Sequence, residues 1–173
     1  MMAEAERTTE SLMVIVDGSP ASKRAVDYVT RMIGCQPGFH VYLLHLLPPL
    51  PAELLEFGGA EDPREEQKLQ AELHRDQQAW IASVKDPATP ALRYAMDALR
   101  QAGLFTYEIE LACSDPMDDR DLTLAVLRQA REKRCHTIVV GHESHGWFRK
   151  LAGAPLTERL LRHASEITIW VVQ

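Results

Sequence analysis

Thr137-Ile138-Val139-Val140-Gly141 is the stretch that decides the fold of this chain. A short run of β-branched residues that ends in glycine is typical of a buried parallel strand leading into a turn. The segment 156–164 then predicts a helix, because its apolar residues have helical spacing. These residues are Leu156, Leu160, Leu161 and Ala164. A strand, a glycine-containing loop and a helix in this order can present backbone N–H groups to an anion.

A second strand of this kind lies near the N-terminus, at Leu12–Val16, and Asp17 ends it. Ser19 and Pro20 predict the start of a helix, with serine at the N-cap and proline at the first helical position. Further strands are predicted at 41–47, 105–112 and 167–172, and further helices begin at 62, 89 and 115. This alternation predicts βαβ crossovers and a parallel sheet that is covered on both faces.

The composition limits the class of protein. The 173 residues are 25% charged and 46% apolar, which is ordinary for one soluble globular domain. A formal net charge of −6 argues against binding of nucleic acid or of an anionic membrane. The apolar runs are too short to cross a bilayer, and the polar N-terminus is unlike a secretory signal. Three widely spaced cysteines argue against a disulfide framework. We therefore expect a cytoplasmic protein.

The segments Val14–Ser19 and Thr137–Gly141 together make the chain resemble the universal stress protein family. The resemblance spans both halves of the chain. It implies a Rossmann-like α/β fold, an open five-stranded parallel sheet of order 3-2-1-4-5 with helices on both faces. The strand order would then reverse between the first and fourth strands. Open α/β sheets bind ligands at such a topological switch point. The resemblance also implies a single domain over 1–173, in which 48–103 carries an enlarged helical insertion.

In that family the loop after the fourth strand reads Gly-x2-Gly-x9-Gly-Ser/Thr and, where complete, holds the phosphates of ATP. Counting forward from Gly141 gives the other three positions to Ser144, Ala154 and Pro155. Alanine restricts the backbone where glycine is usual, and proline lacks both a hydroxyl and an N–H donor. The loop therefore predicts only weak binding of ATP or AMP.

Asp17 resembles the family residue that recognises the adenosine part of the nucleotide. From the residues alone, its carboxylate could equally brace its own loop by accepting a hydrogen bond from Gly18 or Ser19. Ile15 and Leu46 match family positions that line the adenine pocket. The candidate nucleotide-binding residues are Ile15, Asp17, Leu46, Gly141, His142, Ser144, Ala154, Pro155 and Leu156.

The sequence predicts neither a catalytic constellation nor a metal site. Ser19 and Ser22 have no recognisable base nearby. His142 and His145 have an H-x2-H spacing, but Cys135 and His136 precede the strand that these histidines follow. Because structural zinc sites need four ligands in closed geometry, these side chains do not form one.

The last predicted strand, Ile167–Val172, is apolar on both faces and should lie at a sheet edge. The resemblance implies that this strand pairs across a two-fold axis in a homodimer. Three functions remain open. The first is a regulatory or stress-response protein that binds an adenine nucleotide weakly, and the second is a dimeric scaffold that binds an unknown protein partner and has lost nucleotide. The third is a slow ATPase.

Overall fold

The computed structural model describes residues 10–34, 36–47, 50–55, 62–85, 90–105, 108–114, 122–142 and 155–173. Strands and helices follow one another along these ranges. Their bounds are β1 (Glu10–Val16), α1 (Pro20–Ile33), β2 (Phe39–His45), α2 (Pro63–Val84), α3 (Pro90–Gln101), β3 (Ile109–Cys113), α4 (Leu122–Glu132), β4 (Thr137–Gly141), α5 (Leu156–His163) and β5 (Thr168–Val172). A short 3-10 helix lies at Ala52–Leu54.

The five strands form one parallel sheet of order β3-β2-β1-β4-β5, which confirms the predicted topology. Strand β1 is central, and Val14 pairs with Leu43 of β2 on one side and with Val139 of β4 on the other. All three side chains are fully buried. A strand with neighbours on both sides and helices above and below has no exposed face, which explains why β1 is continuously apolar from Leu12 to Val16.

Alternate residues of β1 enter two separate hydrophobic clusters, because successive strand side chains point to opposite faces of a sheet. Val14 and Val16 pack in a first cluster with side chains of α1 and α3. Met13 and Ile15 pack in a second cluster with side chains of α4 and α5. Helices α1 and α3 therefore cover one face of the sheet, and helices α4 and α5 cover the other.

Local capping signals place the starts of two helices where the sequence predicts them. The Ser19 hydroxyl accepts a hydrogen bond from the Ser22 backbone N–H at 3.0 Å, and Pro20 is the first residue of α1. The Asp62 carboxylate accepts one from the Arg64 N–H at 2.9 Å and caps α2. Each cap satisfies an N–H group that has no partner inside its helix. The predicted helix start at Asp115 lies outside the described residues.

One predicted strand boundary is wrong. Strand β3 begins at Ile109 rather than at Phe105, because Phe105 and Glu108 bond to each other, with hydrogen bonds of 2.7 and 2.9 Å, instead of to a neighbouring strand. Phe105 is 62% exposed. On α5, Leu156 and Leu160 are buried, whereas Leu161 is 59% exposed. A helix of this length buries one stripe of side chains, and position 161 lies outside it.

The two helices between β2 and β3 differ in their packing. Helix α3 contributes Leu92, Ala95 and Leu99 to the first cluster. Helix α2 buries only Ile81, and Gln77 Nε2 donates a hydrogen bond to the Leu54 carbonyl at 2.7 Å. Helix α3 is therefore an integral layer of the fold, whereas α2 is largely exposed. None of the helices in the described ranges is both long and apolar enough for a membrane span.

Candidate functional site

The carboxyl ends of β1 and β4 meet at the same edge of the sheet, since the two strands are parallel neighbours. After β1 the chain enters α1, which covers the same face of the sheet as α3. After β4 it continues to α5, which covers the second face. Helices α1 and α5 thus cover opposite faces of the sheet, and open α/β sheets bind ligands at an edge where consecutive helices change faces. Asp17 and His142 lie directly after these two strands.

The Asp17 carboxylate stabilises its own loop through a local hydrogen bond, which we call the brace. Its Oδ1 accepts a hydrogen bond from the Ser19 backbone N–H at 3.0 Å, and the side chain is partly buried. Between them, Gly18 has a φ of +79°, a left-handed conformation that glycine adopts without strain. This hydrogen bond uses Oδ1 and leaves Oδ2 outside the local contact. The brace and a ligand contact are therefore compatible.

Gly141 has a packing reason to be glycine. A Cβ on this residue would lie 2.2 Å from the Ala21 carbonyl oxygen in the first turn of α1. Such a distance is far inside van der Waals contact, so only glycine permits this approach of α1 to β4. The next residue, His142, donates its backbone N–H to the Val172 carbonyl at 2.7 Å. The end of β4 is thus fixed between α1 and β5.

Apolar candidate residues lie beneath the site on the face of the sheet that α4 and α5 cover. Ile15 and Leu46 are 2% and 1% exposed, and they share the second cluster with Leu156. The Leu46 N–H donates to the Val16 carbonyl at 2.9 Å, which continues the pairing of β1 and β2 beyond their last residues. All three side chains belong to the core, whether or not a ligand contacts the edge above them.

The phosphate end of the candidate site is described only in part. Pro155 occupies the N-cap position of α5 with an extended backbone and makes no side-chain capping hydrogen bond. Proline offers neither a hydroxyl nor an N–H at this position. Ser144 and Ala154 lie outside the described residues.

His45 is a feature of this edge that the sequence reasoning missed. It is the last residue of β2 and is 8% exposed, and its Nδ1 has no hydrogen-bond partner among the described residues. Burial lowers the pKa of the imidazole, and the negative charge of Asp17 partly opposes this change. His45 is therefore neutral at neutral pH. The signal in the sequence was a titratable residue ending an otherwise apolar strand, directly before Leu46.

Thr157 is a second buried polar residue that the sequence reasoning missed. It is the second residue of α5 and is 4% exposed, and its Oγ1 has no hydrogen-bond partner among the described residues. A buried hydroxyl without a partner is costly, so it needs an explanation. The signal was a hydroxyl residue two positions after Pro155, displaced from the place that the family motif gives it.

Among the described side chains, no three His, Cys, Asp or Glu residues come together in a group that could hold a metal ion. Cys135 precedes β4 and His142 follows it, so the strand separates them. His145 lies outside the described residues. Cys113 and Cys135 are free thiols. Burial raises the pKa of Cys135 to about 12, with a further contribution from the charge of Glu110. Its thiol is therefore protonated at neutral pH.

Several solved structures share this fold at low sequence identity. A universal stress protein in complex with cAMP is 19% identical, with 95% of this chain and 96% of that chain covered at a TM-score of 0.55. A universal stress protein family member from Burkholderia pseudomallei is 17% identical over the same shares, with a TM-score of 0.56. A universal stress protein from Archaeoglobus fulgidus is 16% identical, with 96% and 95% covered and a TM-score of 0.52. At these identities the likeness concerns the fold.

No curated protein matches the chain. The sequence model that describes the universal stress protein family matches residues 8–173, which is nearly the whole chain. This match agrees with the strand order of the sheet. The chain therefore belongs to the universal stress protein family.

Proposed function

We propose that this protein is a regulatory stress-response protein that binds an adenine nucleotide weakly at the carboxyl edge of the sheet. In this proposal the adenosine part lies over Ile15 and Leu46 and contacts Asp17, and the phosphates extend towards the segment after Gly141. The role is ligand sensing rather than catalysis, since no nucleophile with an adjacent base is apparent in the described part of the chain.

The position of Asp17 carries this proposal. Its carboxylate lies at the switch point and uses one oxygen in the local brace with Ser19. The other oxygen can accept a hydrogen bond from a ribose hydroxyl or an adenine amino group. The apolar residues Ile15 and Leu46 beside it suit the flat face of a base. The related structure with bound cAMP concerns a different protein, but it makes a nucleotide the first ligand to test.

The phosphate end supports weak binding. Phosphate-holding loops work by directing several backbone N–H groups at concentrated negative charge. Pro155 removes one such donor at the start of α5. Losing one charge-assisted hydrogen bond costs about 1.5–3 kcal/mol, or roughly ten- to a hundredfold in affinity. We therefore expect a dissociation constant for ATP in the high-micromolar range or above. AMP and adenosine should bind nearly as tightly as ATP.

Isothermal calorimetry with ATP, AMP and adenosine, each with and without Mg²⁺, tests the proposal. We expect three dissociation constants within about tenfold of one another, because most of the affinity comes from the adenosine part. A low-micromolar dissociation constant for ATP together with a much higher one for adenosine would show that the phosphates supply most of the affinity. No heat and no thermal shift at millimolar concentrations of all three ligands would contradict nucleotide binding itself.

A pair of variants separates the two roles of Asp17. Asp17→Asn keeps an Oδ1 acceptor for the Ser19 N–H and removes the charge, whereas Asp17→Ala removes both. If Asp17 contacts the ligand, Asp17→Asn should weaken adenosine binding about three- to tenfold while leaving thermal stability nearly unchanged. If both variants bind adenosine as the unmodified protein does, the carboxylate is only a brace.

A second proposal is a homodimer that pairs through β5. Among the described strands β5 has a neighbour on one side only, β4, so its other edge is open. Val171 on this strand is 37% exposed. An open, apolar edge strand favours association with another chain. This assembly is compatible with nucleotide binding and would also suit a scaffold that binds a protein partner instead.

A further inference from the structure

A cavity of about 410 Å³ lies between the first turn of α1 and the first turn of α3. This volume falls within the range of small-molecule sites in proteins. Its walls are mainly apolar, and they come from the end of β1, the β1–α1 turn and the two helices. The lining residues are Val16, Gly18, Ser19, Pro20, Ser22, Lys23, Val26, Pro90, Ala91 and Tyr94.

The cavity is separate from the candidate nucleotide site. Val16 and Val26 belong to the first hydrophobic cluster, under α1 and α3. Ile15 and Leu46, which wall the nucleotide site, belong to the second cluster on the opposite face of the sheet. Asp17 does not line the cavity. A molecule in the cavity would therefore lie on the other side of β1 from the adenosine.

Most polar groups of the cavity wall already have protein partners. Ser19 Oγ accepts a hydrogen bond from the Ser22 N–H, and Ser22 Oγ donates one to the Ser19 carbonyl, each at 3.0 Å. The Tyr94 hydroxyl donates a hydrogen bond to Asp27 Oδ1. This contact also raises the pKa of Tyr94, so the phenol stays neutral.

Lys23 is the exception. Its ammonium lies 4.4 Å from the centroid of the Tyr94 ring and forms no ion pair with a carboxylate of the described residues. Lys23 is an exposed residue, and its ammonium lies over this aromatic face where the cavity opens to solvent. In a chain with a net charge of −6, a lysine in this position is a specific positive feature of an apolar cavity.

We propose that this cavity binds a small aromatic carboxylate. The apolar side chains of Val16, Val26 and Tyr94 contact the ring of the ligand, and the Lys23 ammonium pairs with its carboxylate. One cation suits one negative charge, and the serine hydroxyls are already engaged in the α1 cap. The cavity therefore selects an apolar monoanion rather than a phosphate ester with several charges.

Naphthalene-2-carboxylate is a suitable probe, and the neutral naphthalene-2-methanol is its control. In ¹H–¹³C spectra of the methyl-labelled protein, we expect the carboxylate to shift the methyl signals of Val16 and Val26 and to leave those of Ile15 in place. Adenosine should not displace it. Shifts confined to Ile15, displacement by adenosine, or no shift at millimolar probe would overturn the proposal.

Two variants test the charge and the cavity separately. Lys23→Met should weaken the binding of naphthalene-2-carboxylate about three- to fivefold and leave the binding of naphthalene-2-methanol unchanged. The reason is that only the carboxylate pairs with the Lys23 ammonium. Lys68→Met on the exposed face of α2 is the matched control and should change neither. Ala91→Phe fills the cavity and should abolish the binding of both probes. A cooperative unfolding transition of this variant would show that it is folded. If the affinity for the carboxylate is equal in Lys23→Met and Lys68→Met, the proposal is wrong.

Discussion

The Ala21 carbonyl oxygen occupies the space in which any side chain at Gly141 would begin. A Cβ at position 141 would lie 2.2 Å from this oxygen and 2.8 Å from the Ala21 Cβ. The first turn of α1 and the end of β4 therefore fix each other at the edge where the candidate nucleotide site lies. Gly141 has this structural role whether or not a phosphate binds near it.

Gly141→Ala should destabilise the protein by about 1–3 kcal/mol or more, because the obstructing atoms are backbone and cannot rotate away. Urea unfolding followed by circular dichroism measures this change. Gly18→Ala is the control, since its φ is +79° but the nearest atom to an added Cβ is 3.9 Å away. It should cost about 1–2 kcal/mol through backbone strain alone. A smaller loss for Gly141→Ala than for Gly18→Ala would contradict the packing explanation.

His45 should make the stability fall as the pH is lowered. Burial holds the pKa of the folded-state imidazole below that of the unfolded chain, which is about 6.5. Above that pH both states are neutral and His45 has no effect. As the pH falls below about 6.5, the unfolded state binds a proton first, so the free energy of unfolding decreases until the folded pKa is reached.

The midpoint of thermal unfolding at pH 7.5 and at pH 5.5 checks this expectation. His45→Asn, which cannot titrate, should show a smaller loss on acidification than the unmodified protein. His74→Gln on the exposed face of α2 is the matched control and should retain the full loss. An equal loss in His45→Asn and in the unmodified protein would show that other groups account for the acid sensitivity.

Thr157→Val should leave the protein equally stable or make it slightly more stable. The substitution replaces a buried hydroxyl without a described partner by a methyl group of similar size. Removing an unsatisfied buried polar group is nearly neutral or favourable, whereas removing a bonded one costs about 1 kcal/mol. Chemical denaturation measures the change, and Thr157→Ser, which retains the hydroxyl, is the control. A loss of 1 kcal/mol or more in Thr157→Val alone would show that the hydroxyl has a partner.

Cys135 should resist modification in the folded protein. Its side chain is 3% exposed and its thiol pKa is raised to about 12, so at pH 8 almost no thiolate is present. In a variant whose other two cysteines are serine, a disulfide reagent at pH 8 should react only after unfolding in guanidinium. Absorbance of the released thiol follows the reaction. Labelling of the native variant within minutes would contradict the described burial.

The unmodified protein should be a homodimer at micromolar concentration, and Val171→Asp should weaken it. A carboxylate on this exposed edge position would be buried against the partner strand without a counter-charge. Trp170 is a poorer choice, since its ring packs edge-on against Tyr28 at 5.9 Å and supports the monomer itself.

Light scattering measures the mass of each protein. Leu124→Asp on α4, which replaces a side chain that is 56% exposed, is the control and should leave the dimer intact. A mass equal to one chain for the unmodified protein would contradict dimerisation through β5.

The sequence by itself determined most of the strands and the helix starts at Ser19 and Asp62. Period-2 and helical apolar patterns and the caps at Ser19 and Asp62 depend on residues that are close along the chain, so they can be recognised locally. The family resemblance added the sheet order, because the two halves of the chain carry its motifs. It also supplied Asp17 and Gly141 as candidate site residues.

Only the tertiary structure decided what these residues do. The clash that requires Gly141 to be glycine involves Ala21, which is more than a hundred positions away in the sequence. The burial that lowers the pKa of His45 and the unsatisfied hydroxyl of Thr157 depend on side chains that meet only after the helices pack on the sheet. Likewise, Lys23 and Tyr94 enclose a cavity because α1 and α3 lie side by side. Local patterns determine elements, whereas close approach, burial and charge proximity arise between elements that the sequence alone does not bring together.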